Sequence, residues 1–329
     1  MQAQAPDPPY VGLWARLEGF RPEDLARLVE ERAVVRIALM RSTIHLVTAG
    51  DCLALRPLLQ PVIERGFRST YGRRLEGVDT AELAGAAREL VEERPRTFAD
   101  LGAMLGERWP DRDPAALSAA ARTLLPLVQV PPRGLWGRSG PAAHTTAEAW
   151  LGRPLDPAPS PDDMVLRYLA AFGPATVADA QTWSGLTRLR DAVERLRPGL
   201  RVFRDEQGRE LFDLPDAPRP APDTPAPARF MAEWDNVLLA HADRTRIMSE
   251  EHRRRIFTPN GIFPGTILVD GFAAGTWKME RSRGAATLRV EPFAPLAADD
   301  EAALAAEGER LLDFAAPDAP AREIRFAAG

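Results

Sequence analysis

Lysine, cysteine and histidine, on which much nucleophilic and metal chemistry draws, are scarce here: one Lys278, one Cys52 and four histidines in 329 residues. A single cysteine allows no disulfide within the chain, and no cysteine pair supports the histidines as zinc ligands. His45, His144, His241 and His252 share no ligand spacing, so no metal site is expected. Cys52 lies in the apolar helical pattern of Leu53 and Leu55 and reads as a small buried side chain, not a nucleophile. Apolar runs stay short of the roughly 20 residues that a membrane helix needs, and the N-terminus lacks the charged, apolar and small-residue order of a signal peptide. The expected compartment is the cytoplasm, with no membrane partner. Glycine-rich phosphate loops and nucleophile elbows are missing too, which leaves most familiar enzyme classes unsupported and no cofactor expected.

Arginine is abundant. The formal net charge of -5 at pH 7 governs solubility, whereas a phosphate backbone meets the local field. Arg65, Arg68, Arg73 and Arg74 form one cluster, and Arg244, Arg246, Arg253, Arg254 and Arg255 a second. Guanidinium forks suit phosphates. Solvated helix faces give the same pattern, so each cluster alone leaves both readings open.

The length allows two or three domains with their own cores. Marking helix starts by capping residues exposes a repeat. Thr97 with Asp100, and Thr176 with Asp179, each open a short helix, and an apolar-periodic helix precedes each. Leu83, Ala86, Ala87, Leu90 and Val91 line the first of these, with Asp79 and Glu82 as its capping box. Val165, Tyr168, Leu169 and Phe172 line the second, which starts at Ser160 and Pro161. A third helix follows each copy, lined by Leu117, Ala120, Ala121, Leu124 and Leu125 in one and by Leu186, Leu189, Val193 and Leu196 in the other. Hairpin patterns come next, residues 127–130 with 135–137 and residues 200–203 with 210–212, the latter turning at Glu206, Gln207 and Gly208. Three helices and a hairpin make a winged-helix arrangement, whose third helix usually enters the major groove of duplex DNA. An earlier copy offers a helix near Pro22 and paired strands at residues 34–39 and 43–47 but lacks its opening helices.

Residues 215–228 are too rich in proline for a regular hydrogen-bond ladder and read as an extended linker. Beyond it, residues 267–269 and 275–279 flank the turn Asp270-Gly271, residues 286–290 give another strand, 299–314 a helix and 324–326 a last strand. The expected fold is α+β: tandem winged-helix units, the first truncated, then a small C-terminal β-barrel-like domain. The boundaries are 1–75, 76–159 and 160–214 for the three units, 215–228 for the linker and 229–329 for the β-rich domain.

Three stretches carry a family resemblance: Gln2-Ala3-Gln4-Ala5-Pro6-Asp7-Pro8-Pro9-Tyr10, Arg41-Ser42-Thr43-Ile44-His45-Leu46-Val47, and Glu233-Trp234-Asp235-Asn236-Val237-Leu238-Leu239 with His241-Ala242-Asp243-Arg244. Together they resemble the AlkZ/YcaQ winged-helix DNA glycosylases over nearly the whole chain. The resemblance implies three winged-helix units plus a C-terminal β-barrel. It also implies hydrolysis of the N-glycosidic bond of N7-alkylated purines in double-stranded DNA, with unhooking of interstrand crosslinks in some members; a monomer suffices. The family's catalytic motif, glutamine, an apolar residue, then glutamine or aspartate, falls on Gln2, Ala3 and Gln4, the two-glutamine branch. Family members carry a few tens of residues before the motif, whereas here Met1 precedes it; a truncated, inactive homologue is the alternative that follows.

A carboxamide hydrogen-bonds but is no effective proton acceptor near neutral pH. In an extended stretch residues two apart share a side, so Gln2 and Gln4 are expected to hold a water jointly against the sugar C1′. Such a site suits a leaving base already made cationic by alkylation and fails on an unmodified purine. Thr43 and His45 share one face of their strand. They support that water or contact a phosphate; the plain alternative is a strand histidine satisfied by backbone. Arg41 joins the two arginine clusters as a DNA-binding candidate. Asp235, Asn236, His241, Asp243 and Arg244 read as residues that fix the C-terminal domain and touch DNA, and Trp14, Trp109, Trp136, Trp183 and Trp277 as core. The enzyme expected is a monofunctional glycosylase. Its rival is a winged-helix DNA-binding protein without catalysis, because fold alone does not decide function.

Overall fold

The computed structural model describes residues 1–258, 261, 263–282 and 284–327. They form two compact units, one of Met1–Asp7 with Pro22–Ala217, the other of Pro8–Arg21 with Pro218–Gly329. Helix α1 (Pro8–Trp14) thus belongs with the second unit.

The first unit opens with α2 (Pro22–Glu30), where proline leads and Glu23 and Asp24 complement the helix dipole. Strands β1 (Val34–Ala38) and β2 (Ile44–Thr48) pair antiparallel around Met40, Arg41 and Ser42, the paired strands expected there, with Ala38 opposite Ile44. Thr48 caps α3 (Ala49–Leu58), and α4 (Gln60–Tyr71) follows. A trio comes next: α5 (Thr80–Glu93) capped by Asp79, then β3 (Arg96–Thr97), α6 (Phe98–Arg108) capped by Thr97, and α7 (Pro114–Leu124) capped by Asp113. Leu83, Ala87 and Val91, Leu101 and Leu105, and Leu117 and Ala121, one set from each helix, form a shared buried core. Trimming one such leucine to alanine costs roughly 2–5 kcal/mol, because the cavity relaxes only in part.

The trio leads into β4 (Leu127–Val130), but its hairpin partner is not residues 135–137. It is β5 (Ala143–Thr146), with His144 opposite Gln129. Positive φ at Gly134, Gly137 and Gly140 breaks any extended run between them. Gly134 is required on steric grounds as well, since a Cβ there would lie 2.6 Å from Arg36 Cδ. β1 also pairs with β4, so one antiparallel sheet of order β2-β1-β4-β5-β3 joins strands that the repeat assigns to successive copies.

After α8 (Ala147–Leu151) the second trio is α9 (Pro161–Phe172) capped by Ser160, α10 (Val177–Ser184) with a complete capping box of Thr176 and Asp179, and α11 (Arg190–Leu196). A hairpin of β6 (Arg201–Arg204) and β7 (Glu210–Asp213) follows, turning through Gly208 at φ 77°. Residues 214–228 carry no helix or strand.

The second unit holds β8 (Arg229–Met231), α12 (Asn236–Leu239), α13 (Glu250–Ile256), β9 (Gly265–Val269), β10 (Phe272–Ser282), β11 (Ala285–Pro292), α14 (Ala298–Ala315) and β12 (Ala321–Phe326). β9 and β10 meet at the predicted Asp270-Gly271 turn. The expected barrel is corrected to an open sheet of order β12-β11-β10-β9-β8, with β12 and β8 as edges among the described residues. Helix α14 explains this. It packs against β8, β11 and β12, so a helix covers the sheet between its two edges, and β12 pairs parallel with β11 alone. The mixed α+β class stands. No described helix is long and apolar enough to cross a membrane.

Candidate active site

Residues 1–3 run along the outer edge of β2. Leu46 N donates to Met1 O at 2.8 Å and Ala3 N to Ile44 O at 2.8 Å, so Gln2 and His45 face each other as a bridge pair. Arg36 pins this segment. Its buried guanidinium donates to Ala3 O at 2.7 Å, Ala5 O at 3.1 Å and Gln129 Oε1 at 3.1 Å. Arg36 is not among the residues expected at the site, although a cation between Val35 and Ile37 is a signal: an arginine inside an apolar strand must find acceptors for its fork.

The two motif glutamines are unlike. The chain bends over residues 4–7, which ends the alternation on which their shared side was based. Gln2 is buried at 6% exposure and Gln4 is exposed. Gln2 Oε1 accepts from Arg41 Nη2 at 2.7 Å, and Arg41 Nη1 donates to the Trp183 carbonyl. Arg41, a candidate phosphate contact by sequence, therefore has both terminal nitrogens engaged inside the fold.

Arg41 and Ser42 sit in the left-handed region at φ 55° and 60°, which side chains other than glycine, asparagine and aspartate seldom adopt. Neighbouring elements hold this turn. Thr43 Oγ1 donates to Met40 O at 3.1 Å, and Arg122 of α7 donates to Ser42 O at 3.4 Å. Burial lowers the pKa of Arg122. Gly185, which caps α10 at φ 81°, packs so closely that a Cβ there would lie 2.8 Å from Val62 Cγ1 and 3.4 Å from the Arg41 backbone.

His45 is fully buried, with Nδ1 3.0 Å from Thr43 O. A carbonyl only accepts, so Nδ1 carries the hydrogen and Nε2 is left a bare acceptor; Nε2 is buried with no partner among the described residues. Burial, then the Met1 amino group and Arg41, hold the pKa well below that of an ordinary imidazole, against the opposing Thr43 bond. His45 is neutral at pH 7. The strand-histidine reading thus accounts for one ring nitrogen and leaves the other open. Around Gln2 the structure gathers a carboxamide, a guanidinium and a neutral imidazole, which orient and polarise but do not protonate a leaving group near neutral pH.

The arginine clusters divide. Arg65 and Arg68 lie on α4, with Arg73 and Arg74 just beyond it, and all four are exposed. Arg68 pairs with Glu64 at 2.9 Å and Arg74 with Asp113 at 3.0 Å, while Arg65 makes a long contact with Gly185 O at 3.4 Å. In the second unit, Arg253 and Arg254 share Glu250 at 2.6 and 3.6 Å, and Arg246 donates to His241 Nε2 at 3.1 Å. Arg244 and Arg255 cover the rings of Phe257 and Phe293 at 4.5 and 4.3 Å, and burial followed by Arg253 lowers the pKa of Arg244. Asp235 caps α12 and takes a bidentate pair from Arg16 at 2.7 and 2.9 Å. Cys52 is buried and its thiol pKa is pushed up to about 12, chiefly by burial. No group of three His, Cys, Asp or Glu that could hold a metal occurs among the described residues.

A family model described as DNA glycosylase AlkZ-like matches residues 1–314. The chain is 24% identical over 279 residues to the interstrand DNA cross-link repair glycosylase of Streptomyces sahachiroi, a span covering 78% of this chain and 73% of the relative. The solved structure of Streptomyces sahachiroi DNA glycosylase AlkZ shares the fold, with a TM-score of 0.78 over 99% of this chain and 91% of that one at 20% identity.

Proposed function

The chain belongs to the AlkZ-like DNA glycosylase family, and from that premise we propose that it hydrolyses the N-glycosidic bond of N7-alkylated purines in duplex DNA, interstrand crosslinks included. The observation that carries this reading is the makeup of the site: a buried carboxamide backed by a fixed guanidinium and a neutral imidazole, groups that orient and polarise but do not hand a proton to a neutral base. Water supplies the new C1′–O bond and releases its proton to solvent. The C1′–N9 bond breaks with its electron pair going to the base, which discharges the positive charge that N7 alkylation had placed there. No acid is needed for that leaving group. An unmodified purine would need protonation, and so stays in place. The name of the Streptomyces relative, an interstrand cross-link repair glycosylase, supports the inclusion of crosslinks.

In this reading Gln2 and Gln4 hold the water, with Thr43 and His45 supporting it. The two complete trios, each followed by an antiparallel strand pair, act as winged-helix units on the duplex, and arginines of both clusters meet phosphates. Hydrolysis is monofunctional in this reading: a lyase needs an amine to form a Schiff base, and the amines of the chain are Lys278, the sole lysine, and the Met1 amino group, which donates to Leu46 O at 2.8 Å. The protein works as a cytoplasmic monomer without cofactor. The test is chemical: a duplex carrying one N7-methylguanine should yield the free base and an abasic strand that breaks only on alkali treatment. Binding to that duplex without base release is the result that sinks the enzymatic reading.

A further inference from the structure

We infer that Arg41 is a positioning residue, which fixes the Gln2 carboxamide so that its NH2 group, not its oxygen, serves the reacting water. The inference rests on the functional reading above and extends it. A guanidinium has donors and no acceptor, so the atom of Gln2 lying 2.7 Å from Arg41 Nη2 must be the oxygen, and the amide cannot be flipped without losing that bond. The other arm of Arg41 is anchored on the Trp183 carbonyl, at the C-terminal end of α10. Arg41 thereby ties a side chain from one end of the chain to a helix more than 170 residues away in sequence.

The backbone supports the same role. Arg41 adopts φ 55°, and Gly185 packs against its N and Cα atoms, so the guanidinium projects from a turn that is itself held on two sides. A phosphate contact needs a fork turned to solvent, whereas each Nη of this one already donates inside the fold. With its oxygen held, Gln2 donates to the water oxygen, and the exposed Gln4 is left to accept the water proton's hydrogen bond. The two glutamines so acquire different duties.

The sequence has six glutamines and two asparagines, so the side-chain amide signals of 15N-labelled protein are few and Gln2 is assigned from its loss in Gln2→Ala. In Arg41→Ala the heteronuclear NOE of the Gln2 NH2 should fall, and Arg41→Lys should restore part of it. Single-turnover release of N7-methylguanine should drop roughly 10- to 100-fold in Arg41→Ala, with duplex affinity changed less than about twofold. The double variant Gln2→Ala/Arg41→Ala should be no slower than Gln2→Ala alone, as expected for two groups acting as one unit. An unchanged Gln2 NOE in both Arg41 variants overturns the inference whatever the activity, as does a loss of affinity as large as the loss of rate. Gln2→Ala at the parental rate instead rejects the functional reading, while the NOE still decides whether Arg41 orients the amide.

Discussion

In the first unit the arginine row on and after α4 keeps four exposed guanidinium groups, two of them matched to a carboxylate; in the second unit four of the five arginines of the C-terminal cluster are held by Glu250, His241, Phe257 or Phe293, and Arg254 stays exposed, 3.6 Å from Glu250. The histidines divide the same way. His45 of the first unit buries an Nε2 that has no partner among the described residues and His144 is buried against Phe98, whereas His241 takes a bond from Arg246 and His252 Nδ1 meets Ala273 O at 2.9 Å. Arg244 Nε is the exception in the second unit. Residue counts along the chain make the two arginine clusters look equivalent. Their value to an anion is set by how much of each fork is left over.

The largest expected effect that sharpens this contrast is acid instability of the first unit. His144 is buried against Phe98, with ring centroids 4.0 Å apart, and burial lowers its pKa to about 4. The unfolded chain takes up that proton near pH 6.5 and the folded chain does not, so stability is full above pH 6.5 and falls as pH drops toward 4. The loss approaches about 3 kcal/mol at 1.36 kcal/mol per pH unit. His144→Phe keeps the stacking and removes the titrating ring, so denaturant midpoints measured between pH 7 and 4 should decline less than in the parent. An unchanged acid limb would place the sensitivity elsewhere.

A smaller effect concerns DNA. Replacing Arg65 and Arg73 with alanine should reduce the slope of log affinity against log salt by about 2 and weaken binding about tenfold near physiological salt. The triple change at Arg253, Arg254 and Arg255 should alter the slope by no more than about 1, because Glu250 holds Arg253, the Phe293 carbonyl holds Arg255, and Arg254 alone keeps an exposed fork. Equal changes from the two sets would erase the distinction. The smallest expectation is a null one. Borohydride reduction during turnover should trap no covalent DNA adduct, and an adduct lost in Lys278→Ala would replace hydrolysis by Schiff-base chemistry.

Much of this was legible in advance. Capping residues Thr97, Ser160 and Thr176 and the apolar faces of α5, α7 and α9 located the two trios, since caps and periodicity are local and survive in one sequence. β5 was not legible. Ala143-His144-Thr145-Thr146 has no apolar alternation, and its pairing is set by β4 and β3 across the sheet. The barrel expectation failed for a similar reason, because α14 packs against both edge strands and the sheet stays open, a tertiary contact that the strand patterns do not carry. At the site, residues 1–4 marked the segment, but the burial of Gln2, the bend after Ala3 and the anchoring by Arg36 and Arg41 come from contacts 30 or more residues apart.

In the proposed reaction Gln2 acts in the chemical step and not in holding DNA. The direct measurement is single-turnover release of N7-methylguanine from a duplex, with affinity for the same duplex, in the parent and in Gln2→Ala. A rate lower by on the order of 10²-fold with affinity within about twofold is the result predicted for removing one preorganised polar group at a developing charge. Parental release by Gln2→Ala, or a loss accounted for wholly by weaker binding, would contradict it.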